Sequence, residues 1–194
     1  EKKLFRLEKL MKNLGYDWNN KKNSGGVIKI VNATDQSRIT EMRKSGLNIM
    51  MSMKSDSKPV SFVEDCAVSL ENLAEYTNGL TKIFKKYNVN GTWYAHASVG
   101  CLHVRPVLNM KKNKDVRKMR MIAEEACSLV KKFGGSFSGE HGDGIVRSEF
   151  IEKMFDKKIN DIFRQTKDLF DPNRIFNPEK IIDSPKMDDR NYFR

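Results

Sequence analysis

The stretch TWYAHASVGCLHVRPVL, residues 92–108, decides the expected fold. Two β-prone runs, residues 92–98 and 101–108, flank Val99-Gly100, and this arrangement is typical of a β-hairpin. A hairpin supplies at least one antiparallel strand pair. No predicted strand is followed by a GxGxxG or GxxxxGK[ST] phosphate-binding loop. We therefore predict an α+β fold, with helices packed on one face of an antiparallel sheet and a helical segment near the C-terminus.

The rest of the chain is predicted to alternate between helices and short strands. Apolar residues at helical spacing predict helices at residues 3–14, 34–45, 69–87, 113–133, 148–155 and 157–170. Short β-branched runs predict strands at residues 27–31 and 60–64. Residues 47–59 and 138–144 are expected to form loops, and residues 183–194 a frayed tail.

Composition restricts the class of protein. The 194 residues include 36 Lys+Arg and 25 Asp+Glu, a formal net charge of +11, which leaves a basic nucleic-acid-binding module as an alternative. The lysines occur singly or in pairs without interleaved aromatic residues, so we expect solvated faces and no nucleic-acid partner. No apolar run approaches the roughly 20 residues that cross a bilayer, so no transmembrane segment is expected.

The three cysteines, Cys66, Cys101 and Cys127, lie far apart in the sequence. This spacing fits neither a disulfide framework nor a cysteine-based zinc or iron–sulfur motif. A reducing compartment is therefore expected. We predict a cytoplasmic location, either free or peripheral at the inner membrane.

Three histidines, His96, His103 and His141, lie in segments that are rich in turns and glycine. If the hairpin bends between Val99 and Gly100, His96 stands opposite His103 with the Cβ atoms about 4.5–5.5 Å apart. Two imidazoles placed in this way can bind one ion at about 2.0–2.1 Å per nitrogen. Histidines that are merely hydrogen-bonded within the structure are the alternative explanation of this spacing.

The segment SGEHGDGIVR, residues 138–147, adds a carboxylate and the third imidazole. The glycines on both sides of Glu140-His141 permit unusual backbone angles and close approach. Glu140 is therefore the candidate third ligand, and three ligands with an open position describe a catalytic metal that acts as a Lewis acid. A free, neutral His141 beside the metal is the candidate general base. A purely structural metal-binding domain and an ordinary glycine-rich turn are the alternatives.

Five segments of the chain, taken together, resemble the sequence motifs of a known family. They are RKSGL (43–47), FVEDCAV (62–68), YAHASVGCLHVRP (94–106), SGEHGDGIVR (138–147) and FDPNRIFNP (170–178). In this order they closely resemble the C-terminal cap domain of FAD-linked oxidases. That family includes D-lactate dehydrogenase, the glycolate oxidase flavin subunit and D-2-hydroxyglutarate dehydrogenase, in the vanillyl-alcohol-oxidase superfamily. The resemblance extends from about Val27 to Ile182, and is greatest to long bacterial members that join FAD and iron–sulfur modules in one chain.

The resemblance implies a flavin reaction that depends on a metal. Positions matching His96, His103 and Glu140 hold a divalent metal, Zn, Mn or Fe, which binds the carboxylate and the hydroxyl of a D-2-hydroxy acid. The position matching His141 takes the hydroxyl proton while the C2 hydride passes to FAD. The implied activity is therefore a flavin-dependent oxidation of a D-2-hydroxy acid, of the D-lactate, glycolate or D-2-hydroxyglutarate class, to the 2-oxo acid.

The resemblance also implies residues that face the substrate and the flavin. Arg43 and Arg105 match substrate-facing positions, and Asn177 matches a position near the flavin. A bidentate guanidinium suits a carboxylate, whereas a surface ion pair and a turn-forming asparagine are the structural alternatives. Val63 stands where hydroxyglutarate dehydrogenases offer a lysine to the distal carboxylate, which argues against the longer diacid substrate.

The domain content follows from the same resemblance. Residues 1–182 are expected to form the cap domain, which binds substrate and metal, and residues 183–194 the tail. The domain that binds FAD is expected on another part of the parent chain, as are any iron–sulfur clusters. The implied partners are the 2-hydroxy acid, the FAD-binding domain and an iron–sulfur electron-transfer module. The chain by itself is expected to be inactive.

Overall fold

The computed structural model describes residues 2–20, 22 and 25–193. The chain forms two compact units, Glu1–Ile49 and Met50–Arg194. The single domain expected over residues 1–182 stays a prediction, and residues 1 and 194, at the ends of the expected domain and tail, lie outside the described residues. No helix in the described part of the chain combines the length and the apolar character needed to cross a membrane.

Two helices begin in the first unit. Helix α1, Lys2–Asn13, confirms the helix predicted at residues 3–14. It ends in a Schellman motif in which Gly15 has a φ of 88°. Helix α2, Ala33–Met51, begins close to the predicted place but continues through Gly46, because an interior glycine costs a helix about 1 kcal/mol without breaking it. Its last residues take up part of the predicted loop at residues 47–59.

The strand predicted at residues 27–31 is absent. These residues have irregular backbone, and no strand occurs among the described residues of the first unit. A β-branched run forms a strand only when a second strand completes its backbone hydrogen bonds. The prediction from propensity alone was therefore wrong.

Strand β4, Cys101–Leu108, is the centre of an antiparallel sheet in the second unit. It pairs along one edge with β3, Gly91–His96. Along the other edge it pairs with two short strands, β1, Lys58–Pro59, and β2, Cys66–Ala67. Together with the helices described next, this sheet confirms the predicted α+β fold.

Two helices contribute the largest part of the core beside the sheet. Helices α3, Leu73–Lys86, and α4, Asn113–Lys132, contact each other and confirm the predicted helices there. Tyr76 of α3 and Ile122 of α4 are fully buried in the same apolar cluster as Val104 of β4. The cysteines Cys66, Cys101 and Cys127 are buried and are not joined by disulfide bonds.

The C-terminal part of the second unit is helical, as predicted. Helices α5, Gly144–Arg147, and α6, Ile151–Met154, are short and are followed by α7, Lys157–Phe170. Although α7 is amphipathic, none of its residues is buried, and Leu169 and Phe170 at its end are 76% and 78% exposed. Its apolar face is therefore open to solvent in this chain.

The predicted frayed tail is wrong for the described residues 183–193. Met187 is buried, and its backbone N–H donates to Glu149 Oε1 at 2.6 Å. Asp188 accepts from the Arg120 guanidinium at 2.5 Å, and the same guanidinium lies 2.7 Å from Glu149. These polar contacts connect the tail to α4 and to the turn before α6.

Residues 60–65 leave the sheet, where the sequence predicted a strand at residues 60–64. The Val60 N–H donates to the Pro106 carbonyl at 2.9 Å. The reciprocal hydrogen bond cannot form because proline has no N–H. Strand β1 therefore ends here, and pairing resumes only at β2.

The detour between these two strands contains two extra residues. Pro59 pairs with Val107 and Cys66 with Leu102, so the chain takes seven residue steps where β4 takes five. Asp65, the last residue before β2, has a φ of 57°, in the left-handed region. We call residues 60–65 the β1–β2 bulge.

The hairpin is confirmed, but its register differs from the predicted one by two residues. His96 lies opposite Cys101, and His103 opposite Tyr94, because residues 97–100 form a four-residue connection. A shift of two residues keeps every side chain on its face of the sheet. His96 and His103 therefore remain neighbours, on a diagonal rather than directly opposed.

Residue 100 should need to be a glycine for two reasons, its backbone angle and the lack of space for a Cβ atom. Gly100 and Gly134 both have positive φ, 71° and 64°. A Cβ at Gly100 would overlap the Val68 carbonyl oxygen, whereas one at Gly134 would meet nothing within 4 Å. We expect Gly134→Ala to lower the free energy of unfolding by about 1 kcal/mol and Gly100→Ala by about 3 kcal/mol or more. Urea denaturation measures both, and equal losses would contradict the described hairpin connection.

Candidate functional site

Residues 138–143 form the loop predicted at residues 138–144, and we call this segment the glycine-rich loop. This loop and the hairpin bring four predicted site residues together. Glu140 Oε2 lies 3.6 Å from His103 Nε2 and 4.0 Å from His96 Nε2. It also lies 4.0 Å from His141 Nε2. The rings of His96 and His103 have centroids 4.9 Å apart, and those of His103 and His141 are stacked at 5.3 Å.

The three predicted metal ligands have the geometry of a site that one ion can fill. Donor atoms of His96, His103 and Glu140 all lie within 4.8 Å of one another. Ligand atoms around a single ion at bonds of about 2.0–2.2 Å are roughly 3–4 Å apart, so small side-chain movements suffice to close the site. Two imidazoles and one carboxylate suit Zn²⁺ and related divalent ions.

His103 provides an independent test of whether the site suits a metal. Its Nε2 is buried and has no hydrogen-bond partner in the described part of the chain. Burial is the largest cause that lowers the pKa of His103; Glu140 opposes this effect, and the neighbouring imidazoles reinforce it. A neutral ring with an unused, buried lone pair is the state that binds a divalent metal.

Asp65 fixes the loop that carries Glu140 and His141. Its carboxylate is fully buried and accepts the backbone N–H groups of Glu140 and His141, each at 2.7 Å. Burial raises the pKa of this carboxyl, but these hydrogen bonds and the contact with Arg147 outweigh it, so the net pKa is lowered. Ser138 Oγ also donates to it, at 3.2 Å. The charged form of Asp65 is thus a structural requirement of the loop.

Arg147 completes this anchor from the other end of the loop. Its guanidinium pairs with Asp65 and donates to the Glu64 carbonyl. It also donates to the carbonyls of Phe137 at 3.2 Å and Gly142 at 2.5 Å. One buried guanidinium therefore connects the β1–β2 bulge with both sides of the glycine-rich loop.

Glu64 is a site residue that sequence reasoning missed. Its Oε1 accepts from Arg105 Nε at 3.0 Å, and its Oε2 lies 4.0 Å from His141 Nδ1. Donor atoms of Glu64, His103 and His141 form a second group within 4.8 Å. The segment FVEDCAV contains both bulge carboxylates, but a pattern typical of a strand gives no sign that they turn toward a distant loop.

The other predicted residues have different surroundings. Arg105 lies at the site but is ion-paired with Glu64. Arg43 is exposed on α2 in the first unit. Asn177 has a φ of 43° and lines an open cavity of about 620 Å³ that also borders the glycine-rich loop at Gly142. Val63 is fully buried in the core rather than facing the site.

Comparison with known proteins gives one family. The family model described as "FAD linked oxidases, C-terminal domain" matches residues 11–181. D-2-hydroxyglutarate dehydrogenase of Haemophilus influenzae is 39% identical over 144 residues, covering 74% of this chain and 14% of that protein. The Escherichia coli K12 protein of the same name is 33% identical over 155 residues, covering 77% and 15%. D-lactate dehydrogenase of Archaeoglobus fulgidus is 31% identical over 160 residues, covering 81% and 34%.

The buried anchor should contribute far more stability than an exposed ion pair of the same type. Asp65 and Asp183 both have positive φ, 57° and 53°, which asparagine tolerates, and Asp183 pairs with Arg164 at 2.6 Å. We expect Asp65→Asn to lower the free energy of unfolding by about 3–5 kcal/mol and the exposed control Asp183→Asn by less than about 1 kcal/mol.

Urea denaturation measures the two losses, and hydrogen–deuterium exchange should show faster exchange at Glu140 and His141 only for Asp65→Asn. Similar stability of the two variants would mean that the anchor does not hold the loop.

Proposed function

The chain belongs to the FAD-linked oxidase family, as its C-terminal domain, and on this basis we propose that it forms the substrate side of a flavin-dependent D-2-hydroxy acid dehydrogenase. In this proposal His96, His103 and Glu140 hold a divalent metal, and His141 is the general base. The observation that carries it concerns Nε2 of His103, which is buried, has no hydrogen-bond partner among the described residues and lies within reach of two further donors.

The donor set fits the class of substrate that the relatives' names give. Those relatives are named for D-2-hydroxyglutarate and D-lactate, which share a hydroxyl next to a carboxylate. A bound divalent ion supplies Lewis acidity toward these oxygens, and FAD supplies acceptance of the C2 hydride. Three protein ligands would leave one position open on a four-coordinate ion, and expansion to five coordination would admit both substrate oxygens.

His141 performs the proton transfer in this proposal. The substrate loses its hydroxyl proton to the imidazole and its C2 hydride to the flavin, and the 2-oxo acid results. His141 lies beside the candidate ligands without being needed among them: its Nε2 is 4.0 Å from Glu140 Oε2. An unliganded imidazole keeps a lone pair for the proton.

The remaining residues have supporting roles in the proposal. In the second unit, Arg105 binds the substrate carboxylate and Asn177 lies beside the flavin, whereas substrate binding by Arg43 stays a prediction from the resemblance. The ion pair with Glu64 holds the Arg105 guanidinium at the edge of the site. Val63 is buried in the core and does not face the site, so the preference for a short D-2-hydroxy acid rests on the sequence resemblance alone.

The complete reaction requires the rest of the parent protein. The chain spans about one seventh of the hydroxyglutarate dehydrogenases it matches, 14% of the Haemophilus influenzae protein. We propose that the FAD-binding domain and an iron–sulfur module occupy other parts of the parent protein, with residues 1–182 as the cap domain. A cytoplasmic location and the absence of a nucleic-acid partner stay predictions.

Metal binding can be tested on this chain alone. We expect His103→Ala to weaken the binding of Zn²⁺ or Mn²⁺ at least about 10-fold, because the buried donor is removed. His141→Ala, the matched control on the same cluster, should weaken binding much less than His103→Ala does, because His141 is not among the proposed ligands. Isothermal titration calorimetry measures both, and equal affinity of wild type and His103→Ala would refute the proposed ligand set.

The base can be tested in the whole flavoenzyme. We expect His141→Ala to slow flavin reduction about 10²–10⁴-fold, the usual contribution of one general base. The metal content should stay near that of the wild type, because His141 is not a ligand. Stopped-flow absorbance and elemental analysis give the two quantities. Loss of metal would make His141 a ligand, and an unchanged rate would remove it from the reaction.

A further inference from the structure

The two ring nitrogens of His141 face two different carboxylates. Nε2 lies 4.0 Å from Glu140 Oε2, on the side of the candidate metal ligands. Nδ1 lies 4.0 Å from Glu64 Oε2. The ring is stacked on His103 with an interplanar angle of 26°, and its backbone N–H is bound by Asp65. Stacking and the backbone bond together restrict which nitrogen faces which group.

The two carboxylates differ in how firmly they are held. The Glu64 side chain is 10% exposed, and that of Glu140 is 39% exposed. Oε1 of Glu64 is engaged by Arg105 through Nε at 3.0 Å, which leaves Oε2 directed at His141. Glu140, by contrast, is a proposed metal ligand. Glu64 is therefore the carboxylate with a fixed oxygen for the imidazole.

We propose that Glu64 is a positioning residue that keeps the proton of neutral His141 on Nδ1, so that Nε2 is the nitrogen that accepts the substrate proton. The tautomer is a property of this chain. Its consequence for the reaction rests on the proposed function.

The physical basis is the control of an imidazole by the partner of its second nitrogen. A hydrogen bond from Nδ1–H to a carboxylate fixes both the tautomer and the ring orientation. The opposite tautomer carries its proton on Nε2 and cannot accept another there. The 4.0 Å separation is longer than a hydrogen bond, and the half-exposed His141 ring can close it by a small movement toward Glu64.

The β1–β2 bulge explains why adjacent residues can control both parts of His141. Asp65 binds its backbone N–H, and Glu64 faces its side chain. In a regular strand these neighbours would point to opposite faces of the sheet. Because Asp65 has a positive φ of 57°, its backbone does not follow this alternation. Glu64 and Asp65 can therefore contact the side chain and the backbone of His141, respectively.

The tautomer can be read directly in this 194-residue chain by nitrogen-15 NMR of labelled histidine. The sequence contains three histidines, which His96→Asn and His103→Asn assign by elimination. We expect wild-type His141 to show a protonated Nδ1 and an unprotonated Nε2 as the major neutral form. Glu64→Gln should lower that fraction at least 2-fold, whereas the exposed control Glu71→Gln should leave it unchanged.

Glu64→Asp provides a second variant, because it keeps the charge opposite Arg105 and withdraws the carboxylate by one methylene. It too should lower the Nδ1–H fraction. A wild-type ring that carries its proton on Nε2 would overturn the inference. The same Nδ1–H fraction in wild type, Glu64→Gln and Glu64→Asp would also overturn it.

The whole flavoenzyme gives the kinetic counterpart. Glu64→Gln should lower the limiting rate of flavin reduction about 10-fold or more, with metal content within about 2-fold of wild type. Glu64→Asp, which keeps the charge opposite Arg105, should also lower this rate, with KM within about 2-fold of wild type. A proportional loss of metal would refute the positioning role. A wild-type enzyme that oxidises no D-2-hydroxy acid would refute the proposed function, while the tautomer measurement would still decide the role of Glu64.

Discussion

The buried ion pair between Asp65 and Arg147 is the interaction on which the candidate site depends. An isolated charge in a protein interior is strongly disfavoured, and a buried pair is tolerated only when its remaining hydrogen-bonding groups are also satisfied. Here Asp65 accepts two backbone N–H groups of the glycine-rich loop, and Arg147 donates to three backbone carbonyls. Each polar partner belongs to a segment that carries a site residue. The hydrogen bonds that stabilise the buried ion pair are therefore also the ones that hold the site residues in place.

Local sequence patterns predicted the helices and the hairpin well, because these elements depend on neighbours within a few residues. They failed where an element depends on a distant partner. The run at residues 27–31 has strand propensity but no second strand beside it. The strand predicted at residues 60–64 does not form, because pairing with β4 stops at residue 106, which lies far along the chain and is a proline. The hairpin register was wrong because the connection is centred between residues 98 and 99 rather than between 99 and 100, yet the even shift kept both histidines on one face.

In the site too, residues within local motifs could be predicted, whereas residues brought in from a distant segment could not. Two short sequence motifs contain the four predicted site residues, His96, His103, Glu140 and His141. The family match over residues 11–181 confirms the resemblance to which these motifs pointed. Glu64 and Asp65 were missed, although they are as close to the loop as the histidines are. The bond from His141 to Asp65 joins residues 76 positions apart, and no periodicity extends over such a distance. Their signal was two adjacent carboxylates inside an otherwise apolar strand-like run.

The β1–β2 bulge has a consequence for how this domain can diverge. Between Pro59 and Cys66 the chain is two residues longer than its partner strand, and this excess places two successive carboxylates at one site. Helix surfaces tolerate exchange of side chains because the backbone path is unaffected. Gain or loss of a single residue within the bulge would instead move Glu64 or Asp65 away from the loop that they contact. Apart from Glu64 and Asp65, this segment should therefore accept substitutions more readily than insertions or deletions.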